Sequence, residues 1–292
     1  MAEHFLGLDL TLRPPLTRAV VVDADGTVVR RYESRDAGDE EPDPGFEALV
    51  GDAAAAGVAV ELDSPADDLG TGSPALGRLA PGTIHTPGAA AVTAEAWIGG
   101  ARGARHVICL HIGDRVLAGV LLNGQPWSGA HGRAGSAAWL ALNPVERQDY
   151  RKFGSLAAEA SAAGIARRLS WRIQAGDHSD VLQQAGDLDS ITAAHVFEGA
   201  RGGDGVSISV VRETARYIGM ALANLAVAID PEVIVLSGSI AAAGDLLLEP
   251  VRQEFARRVP PGLADQIRIG ISPLGAEGIA IGAARLAMLA RA

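Results

Sequence analysis

Two side chains of this 292-residue chain stand where chemistry can be placed: Asp9, which closes the apolar run FLGLDL, and His85, just ahead of the alanine-rich stretch 89–102. A carboxylate at a strand end can simply brace the turn beyond it, and that structural reading is open for Asp9. An imidazole titrates near neutral pH, which suits His85 to proton transfer, although no triad or charge partner for it is visible in the sequence. Arg13 could attract an anion, but beside Pro14 and Pro15 a solvated loop arginine is the simpler reading. No HExxH or calcium-loop pattern occurs. The single cysteine, Cys109, lies in the apolar run VICLHI and reads as a core residue, which points to a reducing compartment.

Composition narrows the partners. The net charge is −10, from 25 basic and 35 acidic residues, and such a surface repels phosphate backbones. Arg167–Arg168 and Arg257–Arg258 are isolated pairs that read as solvated helix faces, so no direct nucleic-acid binding is expected. The N-terminal MAEHFLGLDL lacks the basic stretch and long apolar core of a secretory signal, and the apolar runs are short. A cytoplasmic protein without membrane association is expected. Glycine reaches 36 residues while aromatics are 4%, the balance of alanine-rich helices packed closely on sheets with many glycine turns.

The elements that must position these side chains follow from periodicity. Strands are expected at 5–10, 17–23 and 27–32, a helix at 45–56 and a strand at 58–62. Residues 63–88, rich in Pro and Gly, read as loop with at most one helical turn. A helix at 89–102, strands at 106–112 and 116–123 and a short strand at 139–142 come next. Helices are expected at 154–169, 179–185, 190–199 (capped by Ser190) and 205–228, then strand 233–238, helix 244–258, strand 267–272 and helix 277–290. The outline of hairpin strands followed by alternating helix and strand occurs twice, starting at 5 and near 106. That points to two related α/β domains, a common way to make a ligand cleft. A single mixed α/β domain is the plainer alternative.

Several segments together resemble one family. They are GLDL at 7–10, TRAVVVDADGTVV at 17–29, AAAVTAEAW at 89–97 and GVLLNGQPWSGAHGRAG at 119–135. To these are added ETARYIGMALANLAVAIDPEVIVLSGSI at 213–240 and SPLGAEGIAIGAARLA at 272–287. The chain resembles the ROK (repressor, open reading frame, kinase) family of bacterial sugar kinases and sugar-responsive repressors. The resemblance implies the actin-like, ribonuclease-H-like duplicated two-domain ATPase fold with a central cleft. It places an N-terminal domain at 1–104, with the helix at 278–292 packing back on it, and a C-terminal domain at 105–277. It also implies a homodimer and a sugar or sugar-phosphate ligand. Repressor members usually carry an N-terminal winged helix-turn-helix, and this chain starts directly at the first strand.

Set against the family, several site positions are changed. The family's phosphate loop, roughly DxGGTK, corresponds to DLTLRPPLTR at 9–18, where Asp9 remains, the glycines are gone and two prolines remove N–H donors. The stretch resembling NDANAAALAE becomes TPGAAAVTAE at 86–95. Pro87 thus stands at the position of the proton-accepting Asp and Ala89 at that of the sugar-binding Asn. GDRVL at 113–117 replaces a glycine-rich turn. In AGSAAW at 134–139, Ser136 and Trp139 replace a sugar-binding Glu and a His, and a core or interface tryptophan is the simpler reading of Trp139. The zinc motif CxCGxxGC finds no cysteine in VERQDYRKFGS at 145–155, so structural zinc is not expected. The nucleotide side is better kept: Gly203 and Asp204, Gly238 in VLSGSI and Gly275 resemble the family's turns, though such glycines equally permit close helix packing.

These replacements lead to the expectation of a non-catalytic, ligand-binding or regulatory relative with no required cofactor. The alternative is an ATP- and Mg²⁺-dependent kinase of a hexose or N-acetylhexosamine with relocated groups, using Asp9, His85 or one of Asp63, Asp67 and Asp68.

Overall fold

Strands β1 (Phe5–Asp9), β2 (Thr17–Val22), β3 (Val28–Ser34), β4 (Ala55–Ala59) and β5 (Gly82–His85) form one sheet in the order β3-β2-β1-β4-β5. A second sheet runs β10-β9-β6-β7-β8, from β6 (Val107–Ile112), β7 (Val116–Leu122), β8 (Gln125–Pro126), β9 (Val233–Ser237) and β10 (Arg268–Ile271). The computed structural model describes residues 3–11, 17–34, 44–51, 53–60 and 82–291. Their helices are α1 (Pro44–Gly51), α2 (Pro87–Trp97), α3 (Gln148–Phe153), α4 (Ser155–Ala160), α5 (Ala162–Gln174) and α6 (Val181–Ala185). The series continues with α7 (Ala193–Arg201), α8 (Gly205–Ile229), α9 (Gly244–Ala256), α10 (Leu263–Gln266) and α11 (Gly278–Arg291). The elements have the α/β order of the actin-like ATPase fold. Two units emerge, residues 1–109, 119–135 and 273–292 in one, 110–118 and 136–272 in the other.

In the first unit β1 pairs antiparallel with β2 and parallel with β4, and β4 pairs parallel with β5. Alternation divides the sheet cleanly. Leu6, Leu8, Ala19, Val21, Ala56 and Val58 pack on Phe46 and Leu49 of α1. Phe5, Val20, Val22 and Ala55 pack on Ala280, Ile281, Ala284 and Ala287 of α11. Glycine makes this second layer thin. A methyl at Gly7 would overlap the Ala280 carbonyl oxygen and come 2.7 Å from Ala284 N, and one at Gly57 would overlap the Ala283 carbonyl. On the other side of α11, a methyl at Gly282 would overlap the Ala90 carbonyl oxygen of α2. A methyl at Gly119 of β7 would overlap the Gly88 carbonyl and stand 2.8 Å from Val92 Cβ. This layer also explains a shifted boundary: β4 is Ala55–Ala59, upstream of the expected 58–62. Its small residues are weak strand formers, but only they fit beneath α11.

Other differences are local. The segment expected to be loop contains β5, which pairs with β4 through Ile84 and His85. The expected helix 154–169 is broken at Ser161, whose hydroxyl accepts from Gly164 N and starts α5. A 3-10 turn at Ala137–Trp139 stands where a strand was expected, and α7 is capped by Thr192 rather than Ser190. Arg168 is not on a solvated face. It is buried, donating to Glu159 and to Thr214 Oγ1 at 3.2 Å. Glu159, also buried, accepts from Tyr150 and from Arg147 at 3.0 Å, and Arg147 and Arg167 share Asp149 at 2.8 and 3.1 Å. Burial first, then the Glu159 carboxylate, raises the Tyr150 pKa, so the phenol keeps its proton and donates. The helix α8 is capped by Asp204, whose Oδ1 accepts Ser207 N at 2.7 Å and whose Oδ2 accepts Asp180 N at 3.2 Å.

Two consequences can be measured. Alanine at Gly282 gains about 1 kcal/mol of helix propensity, but the obstacle is backbone and cannot swing aside; a net loss of about 2–3 kcal/mol is expected. Denaturant melts would show it, with Gly51→Ala, which meets nothing within 4 Å, as the control. For Asp204, burial raises the pKa, yet the hydrogen bonds it accepts, among them those from the Ser207 and Asp180 N–H groups, outweigh it and the net value lies below 3.8. The folded-state value is depressed, so the cap's contribution is fully present above 3.8 and is lost as pH falls through the folded value. Asp204→Ala should cost about 1 kcal/mol at neutral pH. Melts repeated on acidification should show the gap to wild type closing; a gap that stays constant in acid would refute the charged cap.

Candidate active site

The carboxyl edge of the first sheet brings together the two residues singled out for chemistry. In register, Asp9 pairs with Ala59 and Ala59 with His85. Strands lie about 4.8 Å apart, so the Asp9 and His85 Cα atoms are roughly 10 Å from each other. Paired residues of parallel strands share a face, and period two puts both on the face of Gly7 and Gly57, which carries α11.

Asp9 is 2% exposed, and its Oδ1 accepts Thr11 N at 3.0 Å and Thr11 Oγ1 at 2.6 Å. These bonds fix the carboxylate at the strand end. His85 is half-buried, with Nε2 2.8 Å from Thr83 Oγ1. Burial lowers its pKa, so the ring is neutral at physiological pH. When Nε2–H donates to Thr83, the lone pair is on Nδ1. The chain turns into α2 directly after His85: Thr86 Oγ1 accepts Ala89 N at 3.2 Å and Pro87 follows as the first helical residue. Pro87 at the expected Asp position is therefore a helix start, and the nearest titratable group is His85 on the strand before it. Glu95 is buried and accepts Gly100 N at 2.8 Å, a bracing role at the end of α2.

The turns expected to face a nucleotide are divided. Gly203 has φ 90° with nothing within 4 Å of where a Cβ would stand, and Asp204 is the cap already described. Just before them, Arg201 grips Asp245 at the start of α9 through two bonds of 2.9 and 2.7 Å. That pair ties the Gly203 turn to the segment leaving β9. Gly238, at the end of β9, has φ 88°, and a Cβ there would overlap the Ile112 carbonyl. Gly238 is thus required for strand-end packing as well as for the turn. Gly275, with φ 58° and open space at its Cβ position, belongs to the first unit.

Sequence reading missed a pair at the ends of β6 and β9, His111 Nδ1 and Ser237 Oγ at 3.3 Å. Each lies inside an apolar strand run and 126 residues separate them, so no local pattern announces the contact. Of the two readings of Trp139, the core one is corrected: the side chain is 58% exposed. Arg13, Pro14, Pro15, Asp63, Asp67 and Asp68 lie outside the described residues. Among the described residues, no cluster of three His, Cys, Asp or Glu could hold a metal ion, and no helix is long and apolar enough to cross a membrane.

Comparison with known proteins corrects the functional expectation. The chain is 34% identical over 194 residues to a glucokinase of Halalkalibacterium halodurans, a match covering 66% of this chain and 59% of that enzyme. It thus spans about three fifths of that relative's length. Among solved structures it is similar to a ROK family glucokinase from Streptomyces griseus in complex with glucose and AMPPNP. There the TM-score is 0.78 at 24% identity, over 98% of this chain and 99% of that one. It is also similar to a ROK family transcriptional regulator, with a TM-score of 0.80 at 19% identity over 99% of this chain and 78% of that one. A glucokinase relative at 34% identity overturns the expectation of a non-catalytic protein. The ROK family model matches residues 81–289. On this match the chain belongs to the ROK family.

Proposed function

We propose that this protein is an ATP-dependent sugar kinase acting on a hexose or N-acetylhexosamine, with its proton-accepting group moved from the start of α2 to the end of β5. One observation carries the proposal: the register that puts Asp9 and His85 at one edge and on one face of the first sheet. Ligands of open α/β sheets gather at the carboxyl ends of strands, which is where both residues lie.

The residues present fit the reaction's needs. The sugar hydroxyl oxygen bonds to the γ-phosphorus, the bond from that phosphorus to the β–γ bridging oxygen breaks, and ADP leaves. The hydroxyl proton goes to His85 Nδ1, made available when Thr83 holds Nε2–H. A neutral imidazole is ready for that proton at physiological pH. Asp9 is a hard oxygen donor of the kind Mg²⁺ prefers, pre-oriented by Thr11. Mg²⁺, when bound, neutralises charge on the phosphates.

The test is a coupled ADP-release assay with glucose, N-acetylglucosamine and N-acetylmannosamine. His85→Ala should lower kcat by about 100-fold or more, the usual contribution of a general base. Asp9→Asn, nearly isosteric, should lose activity on a similar scale while keeping the wild-type melting profile. No sugar-dependent ADP release from the wild type, or full activity in both variants, would refute the reading.

A further inference from the structure

Glu159 divides its two oxygens between different partners. Oε1 accepts the Tyr150 hydroxyl and Arg147 Nη1, the latter at 3.0 Å, both from the segment ahead of α4. Oε2 accepts Arg168 of α5, which also donates to Thr214 Oγ1 of α8 at 3.2 Å and lies 3.6 Å from Glu213. One carboxylate thus joins a segment to the helical body, with a separate oxygen for each. Residues 140–153 have little else to hold them. Only Leu142 and Tyr150 among them are buried, while Val145 and Phe153 are exposed. Their backbone donors bond locally: Val145 N to Asn143 Oδ1 at 2.9 Å and Arg151 N to Arg147 O at 3.2 Å, with Gly154 N on Tyr150 O at 2.9 Å. A six-residue helix such as α3 is not stable by itself. The segment is also tied by Asp149, which accepts Arg167 at 3.1 Å, and by Arg147 over the Trp171 ring, 5.3 Å from its centroid. Gly154, with φ 85°, joins α3 to α4 where a side chain would overlap the Ala138 carbonyl.

We propose that residues 140–153 form a strap, latched to the body through Glu159 Oε1 and Asp149, that opens as one unit while α5 and α8 stay folded. Segments with few buried apolar groups lie at the low end of local stability. When the strap lifts, Glu159 Oε2 keeps Arg168, and Arg167 keeps its bond to Ala158 O at 2.7 Å. The latch is ionic and partly exposed at Arg147, so salt weakens it. Local charge, rather than global stability, then sets how often the Trp139 turn packed against Gly154 is released.

The experiment is hydrogen exchange of the full chain, read by mass spectrometry on fragments covering Arg151–Gly154 of the strap and Val210–Ala226 of α8. Tyr150→Phe and Arg147→Gln should each speed exchange of the strap fragment about tenfold or more and leave α8 within about twofold. Arg151→Gln, which breaks only the exposed pair with Glu146 inside the strap, should leave both fragments unchanged. Raising salt from about 0.1 M to about 1 M shortens the screening length from about 10 Å to about 3 Å. That change should speed the strap fragment in wild type, and less so in Arg147→Gln. Should Tyr150→Phe misfold, Arg147→Gln decides, because its side chain is only partly buried. Strap and α8 amides that accelerate together would assign the network to global stability and overturn the proposal. A strap fragment that neither variant nor salt moves would overturn it as well.

Discussion

Backbone-to-backbone packing of α11 between β1 and β4 on one side and α2 on the other sets the geometry of the first unit. Elements dressed with larger side chains pack about 8–10 Å apart. Here Gly7, Gly57 and Gly282 remove the spacer, and Gly119 does the same between β7 and α2. What is lost in large apolar side chains is recovered in dispersion contacts among main-chain atoms and alanine methyls. This accounts for a chain with 36 glycines and 4% aromatics that still buries both faces of its first sheet. It also places the site. β1 ends in Asp9 and β5 runs through His85 into α2, so α11 locks the elements that carry both residues.

The second unit meets a different constraint. Where the resemblance implies thiolate ligands, a hydrogen-bonded charge network ties α3, α4, α5 and α8 through Glu159, Tyr150, Arg147, Arg168 and Thr214. A buried carboxylate is costly unless its oxygens are satisfied, and Glu159 has three donors. The network steadies the segment that presents Trp139, with Gly154 packed against the Ala138 carbonyl behind it. Removing one member would leave charge stranded in a dry region, so the set works as a unit.

Most elements were legible from periodicity because their apolar spacing agrees with their final burial: α8, β6, β7 and β9 are within a residue or two of the pattern. β4 and β5 were not. AAGVA is built largely of weak strand formers, and GTIH is only four residues long at the end of a Pro/Gly-rich stretch, so pairing in the sheet is what marks both as strands. Their misplacement hid the register that joins Asp9 to His85, because a loop at 63–88 gives His85 no fixed neighbour. The His111–Ser237 contact was invisible for another reason: it joins strand ends far apart in sequence. Motif comparison saw what was missing, such as the Asp replaced by Pro87. It pointed to His85 two residues earlier, but could not place that side chain on a strand end in register with Asp9.

The position of α11 in the chain bears on biogenesis. Residues 136–272 are translated after the strands of the first sheet and before the helix that covers it. During that interval Phe5, Val20, Val22 and Ala55 have no partner layer, and the glycine surface built for α11 is bare. Such uncovered apolar strands invite wrong pairing while the ribosome is still at work. The late-arriving helix therefore makes nascent-chain protection a requirement of this architecture, and its long sequence separation from β1 slows the closing step of folding.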